Sequence, residues 1–195
     1  PNVFETTITA EAKTVDVGGG LMANVLTYNG TIPGPQINLK VGQTVIIHFK
    51  NNIAHPTGIH WHGIELNNAS DGTPLTQNMV PPNGTFLYKF KVTRPGIYWY
   101  HPHHHSSMNQ VFKGLYGMIV VKDPNDDTLV GNGTLPSAAN TRQIVLSDTT
   151  VCKTSGSNDT HTYDDADDAT PASVLPWVGP GGLPHQPSPS PKDMQ

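Results

Sequence analysis

Two short stretches hold the side chains best suited to chemistry. They are His60-Trp61-His62-Gly63 and Tyr98-Trp99-Tyr100-His101-Pro102-His103-His104-His105, and together they carry six of the ten histidines. In an extended strand, residues i and i+2 share a face, roughly 6–7 Å apart along the chain. His60 and His62 therefore point one way and Trp61 the other. His101 and His103 repeat the arrangement, and Pro102 disfavours a helical turn at His101. At the ends of neighbouring strands, the two pairs would aim four imidazoles into one small volume. Imidazole is a good ligand for copper, zinc, iron and nickel, so the chemistry implied is that of a transition metal. A lone loop histidine reads as a surface residue; two His-x-His pairs beside bulky apolar residues read as ligands. His48 has no partner two residues away and reads as a strand-face residue.

The elements that must position these pairs read as strands. Of 195 residues, 35% are hydrophobic and 13% charged, with 19 Gly and 18 Pro to make turns. That composition favours an all-β protein of short strands. Strands are expected over 3–12 and 21–28, separated by Gly18-Gly19-Gly20. In 43–50, Val45, Ile47 and Phe49 alternate with Thr44, His48 and Lys50, with Ile46 as the exception. The first histidine pair lies in a stretch over 58–65. Phe86, Tyr88, Phe90 and Val92 alternate with Leu87, Lys89 and Lys91 in a half-buried strand. Pro95-Gly96 turns the chain into 97–101, and Met118-Ile119-Val120-Val121 is the most apolar run, with Met118 read as core. Strands so closely spaced, with turns between them, argue for a sandwich or barrel of Greek-key type.

The character changes at Asp123-Pro124. Residues 1–123 form one domain, 124–140 read as a linker, and Gln143-Ile144-Val145-Leu146 resumes a strand pattern. The rest of 141–195 is Pro/Gly-rich and cannot build a core of its own. A net charge of −4 with no Lys/Arg cluster argues against nucleic acid and anionic membrane as partners. No apolar run approaches the ~20 residues that cross a bilayer. A chain that starts at Pro1 is expected of a processed product or a fragment. Asn-x-Ser/Thr acceptors at Asn29, Asn68, Asn83, Asn132 and Asn158 favour secretion, extracellular or periplasmic. The single cysteine, Cys152, excludes a disulfide within the chain.

His60-Trp61-His62-Gly63, the loop with Asp71-Gly72, Tyr100-His101-Pro102-His103 and Gly114-Leu115-Tyr116-Gly117-Met118-Ile119-Val120 resemble the amino-terminal domain of multicopper oxidases. That family includes laccases, ascorbate oxidases, bilirubin oxidases and bacterial copper oxidases. The match extends from Thr27-Tyr28-Asn29-Gly30 through Asp123, and Ile144-Val145-Leu146-Ser147-Asp148 resembles the opening of the second domain. The resemblance implies a cupredoxin-like β-sandwich and a trinuclear copper cluster shared between the first and last domains of the complete enzyme. It implies His60 on the type 2 copper, His62 and His101 on one type 3 copper and His103 on the other. Rigid i, i+2 pairs suit neighbouring metals, which in two-metal sites lie ~3.5–4 Å apart. Asp71 matches an acidic residue that assists proton delivery to bound dioxygen; without the resemblance it is an Asp-Gly turn residue. The family motif does not use His104 or His105 as ligands.

The family oxidises its substrate at a type 1 copper held by a cysteine flanked by histidines. Cys152 has no adjacent histidine, so that copper is expected outside this chain. Two further His-x-His elements are missing as well. The chain is therefore expected to work only with a complementary polypeptide carrying the remaining cupredoxin domains. The whole would reduce dioxygen while oxidising a small phenolic or aromatic reductant. A stand-alone copper-binding cupredoxin for storage or transport is the second reading. A mononuclear cupin-type enzyme is the third, and it leaves the second histidine pair unexplained.

Overall fold

The computed structural model describes residues 2–103, 107–148, 151–153 and 160–162. Two mixed sheets face each other. The first contains β1 (Val3–Asp16), β2 (Met22–Tyr28), β4 (Thr44–Asn52), β6 (Thr85–Lys91), β9 (Val151–Lys153) and β10 (Thr160–Thr162), in the order β6-β4-β1-β2-β10-β9. The second contains β3 (Gly34–Lys40), β5 (His60–His62), β7 (Gly96–His101) and β8 (Gly117–Lys122), in the order β3-β8-β7-β5. β1 runs parallel to β4 and antiparallel to β2, while β3 runs parallel to β8. Between β2 and β7 the chain changes sheet at every connection. Greek-key sandwiches are built from such crossovers, and the all-β expectation holds.

Period-two alternation explains the core. Val45, Ile47 and Phe49 are buried from β4, and Tyr88 and Phe90 from β6. Ile37, Leu39, Ile119, Val121, Tyr100 and Trp61 meet them from the second sheet. Trp61 is the hub, with ring centroids 5.4 Å from Tyr88, 5.1 Å from Phe90 and 6.0 Å from Tyr100. Rings of this size each remove roughly 150–250 Å² from water. Gly117 lets Tyr100 lie flat across β8, because a Cβ there would overlap the Tyr100 ring.

Several expectations are revised. The 58–65 stretch pairs only over His60–His62. The 124–140 stretch holds a short helix, Asp126–Gly131, whose first turn carries Asp126 and Asp127 where the helix dipole favours acids. Another short helix, Ser107–Phe112, follows the second histidine pair. Residues 141–148 form no ladder: Ile144 and Leu146 stay 71% and 90% exposed, because an alternating pattern makes a strand only where a sheet edge accepts it. Met118 is half-buried on the outer face of β8 rather than in the core, its strand neighbours Gly117 and Ile119 taking the inward positions. The Pro/Gly-rich extension lies mostly outside the described residues. No helix among the described residues is long and apolar enough to cross a membrane.

Candidate metal centre

The antiparallel register of β5 on β7 sets His60 opposite His101, Trp61 opposite Tyr100 and His62 opposite Trp99. Trp61 and Tyr100 point into the sandwich, so the pleat turns His60, His62, Trp99 and His101 to the outer face. The burial of the two aromatics thereby fixes which way the imidazoles point.

β5 is only three residues long and is anchored from both sides. The amide of Ile59, just before it, donates to the Tyr88 hydroxyl at 2.8 Å. Burial pushes the Tyr88 hydroxyl up to about 12, so it stays protonated there. Upstream, the Thr57 hydroxyl donates to Gln110 Oε1 at 2.7 Å, and Gln110 Nε2 donates to the Pro56 carbonyl at 3.1 Å. Gln110 lies on the helix after the second histidine pair, so this buried contact ties the two pairs together. Gly72 serves the same end: at φ +79° it lies so close that a Cβ would overlap the Ile59 carbonyl. The loop carrying Asp71 is thus seated directly on the start of β5.

His60, His62 and His101 form a group whose potential ligand atoms all lie within 4.8 Å of one another. His62 Nδ1 and His101 Nε2 face each other at 3.1 Å. His60 and His101 are also held from behind, each by its other nitrogen. His60 Nδ1 donates to the Asp71 carbonyl at 2.8 Å, and His101 Nδ1 donates to the Pro102 carbonyl at 2.7 Å. Each bond fixes the tautomer that leaves Nε2 unprotonated, the usual state of a ligating histidine. The ring of His103 stands 5.2 Å from His60 and 6.1 Å from His101 between centroids, close by but outside the group of three. Asp71 meets His60 chiefly through its backbone carbonyl; its carboxylate Oδ1 stands 3.6 Å from His60 Nδ1. His104 and His105 lie outside the described residues. His48 is an exposed strand residue paired with Glu5 at 2.7 Å, as its isolation suggests.

The electrostatics favour the neutral ring at His101 and His62. Burial pushes the His101 imidazole down to about 4; the Pro102 carbonyl opposes the shift, and the neighbouring imidazoles reinforce it. His62 is lowered by desolvation first and by His60 and His103 second. Converging imidazoles, two of them with the other nitrogen tied to a carbonyl, fit a soft or borderline divalent ion well. Sequence reasoning missed Trp99, whose indole stacks on His101 at 3.8 Å and 26°. The signal was its alternation with Tyr98 and Tyr100, which puts it on the histidine face.

Comparison with known proteins gives the chain a family over its first two thirds. Residues 9–126 match the family model described as multicopper oxidase. The chain is 44% identical over 121 residues to the multicopper oxidase MmcO of Mycobacterium tuberculosis, covering 62% of this chain and 23% of that protein. It is 45% identical over 109 residues to Laccase-1 of Botryotinia fuckeliana, covering 54% of this chain and 19% of that one. Among solved structures, the laccase of Pediococcus acidilactici superposes with a TM-score of 0.63 at 30% identity, over 71% of this chain and 29% of that chain. The multicopper oxidase of Pseudomonas thermotolerans gives 0.59 at 34% identity, over 62% and 30%. The chain thus spans less than a quarter of the length of these two relatives.

Proposed function

The chain belongs to the multicopper oxidase family, and from that premise we propose that it supplies half of the ligands of a trinuclear copper centre. The rest of a laccase-like enzyme completes the centre. His60 holds the type 2 copper, His62 and His101 share one type 3 copper, and His103 holds the other. The observation that carries this reading is the 3.1 Å approach of His62 Nδ1 to His101 Nε2. Those two nitrogens are near enough that one ion could be held by both. His103, outside the group of three, is spaced for a neighbouring ion. Copper here supplies the redox chemistry by which electrons from a phenolic or similar aromatic reductant reach dioxygen and yield water.

The chain's own residues hold, orient and protonate. The Asp71 and Pro102 carbonyls keep the ligating nitrogens of His60 and His101 free of protons. The half-buried Asp71 side chain, beside His60, assists proton delivery to dioxygen. The type 1 copper lies on the complementary part. Residues 1–123 form the first cupredoxin domain, 124–140 the linker and 141–195 the start of a second. The protein is secreted or periplasmic.

The test is reconstitution. The isolated chain should take up at most a single ion and oxidise no phenol. Adding the complementary polypeptide should restore both a three-copper complement and dioxygen uptake. Phenol turnover by the pure isolated chain refutes the reading, and one tightly held copper per chain that the complement leaves unchanged favours a storage module instead.

A further inference from the structure

Trp99 is out of place by the rules that govern tryptophan. β7 sends Tyr98 and Tyr100 toward the interior and Ile97, Trp99 and His101 outward, leaving Trp99 40% exposed. Core burial therefore does not account for it. Its position in the ladders does: it lies directly opposite His62 on β5, opposite Met118 on β8, and two residues before His101 on its own strand. The indole stacks on His101 at 3.8 Å and 26°, and is tilted over His62 at 5.1 Å and 31°. With Phe112, Met118 and Leu146 it also lines an open hollow of about 710 Å³.

The three clustered histidines are not anchored alike. His60 and His101 each give Nδ1 to a backbone carbonyl. The Nδ1 of His62 faces His101 itself, and among the described residues no hydrogen bond reaches its Nε2. A ring without such an anchor can flip about its last torsion, which is broad and roughly two-fold. Only ring packing opposes the flip, and a flat, wide side chain provides the most.

We propose that Trp99 is a positioning residue of the metal centre, its indole holding His101 and His62 so that Nε2 of one and Nδ1 of the other meet a shared ion. This rests on the reading of His62 and His101 as ligands of one copper. The test uses the 195-residue chain with Zn²⁺ as a diamagnetic probe. Calorimetry gives affinity, and imidazole ¹⁵N shifts identify the metallated nitrogen. Wild type should bind through His62 Nδ1 and His101 Nε2. Trp99→Leu, which keeps apolar bulk, should weaken binding about tenfold and mix Nδ1 with Nε2 at His62, whereas Trp99→Phe should stay within about threefold of wild type. Equal melting temperatures of the three metal-free chains would separate this effect from unfolding. Wild-type affinity and nitrogen choice in Trp99→Leu would overturn the proposal, as would Trp99→Phe falling as far as Trp99→Leu. If Zn²⁺ moves neither His62 nor His101 in wild type, the ligand assignment itself falls and takes the proposal with it.

Discussion

The sheet β3-β8-β7-β5 has two faces made by the same strands, and they differ in almost every physical respect. Inward lie Trp61, Tyr100, Ile119 and Val121, all buried. Outward lie His60, His62, Trp99 and Ile97, partly or largely open, with His101 buried at their edge. The inner face satisfies itself within this chain. The outer face collects donors and apolar surface that stay partly open among the described residues. A strand cannot move one face without moving the other, so the packing of the interior is what aims the imidazoles.

If that division is right, substitutions inside should cost stability and substitutions outside should cost metal. The largest effect is expected at Trp61→Ala, which empties the hub between Tyr88, Phe90 and Tyr100 and should lose about 3–5 kcal/mol in urea unfolding, with metal binding lost as well. Gly72→Ala comes next. Its Cβ has no room against the Ile59 carbonyl and its φ is left-handed, so a loss of about 1–3 kcal/mol is expected, with weakened metal uptake as the seat of Asp71 shifts. Tyr88→Phe removes the acceptor of the Ile59 amide and should cost about 1–3 kcal/mol by the same measurement, with only a modest change at the histidines. His101→Gln should reverse the pattern, abolishing metal binding in calorimetry while leaving urea stability within about 1 kcal/mol. A large stability loss there would break the comparison.

A further effect is on pH dependence. His101 has a folded value of about 4 against an unfolded 6.5, so burial favours its neutral form. Above pH 6.5 both states are neutral and its contribution is fully present. Between 6.5 and about 4 the unfolded chain takes a proton that the folded chain refuses, and stability falls with acid. The metal-free chain should therefore melt at progressively lower temperature across that window, and His101→Gln should flatten the slope.

Much of this was legible in the residues. The alternation in 43–50 and 86–92 identified the interior, and three histidines of the two His-x-His pairs, His60, His62 and His101, do come together. Other features were not. Met118 looks like core in isolation, because an apolar run does not say which of its residues faces in. Gln143–Leu146 carries a strand's pattern and yet forms no ladder. The Asp71 contact with His60 runs mainly through a carbonyl, which every residue possesses and no sequence can single out. Trp99 was passed over because it sits between two tyrosines whose chemistry is similar and whose direction is opposite.

The amino-acid sequence by itself determined the donor chemistry, the β character and the family, since residue type and period-two spacing are local properties. Tertiary structure alone decided that His60 stands across from His101, which nitrogen of His60 and of His101 is left free, and which aromatic stacks on His101. The reason is physical: those features depend on the register between strands some forty positions apart, and that register is set by the burial of Trp61 and Tyr100 on the opposite face.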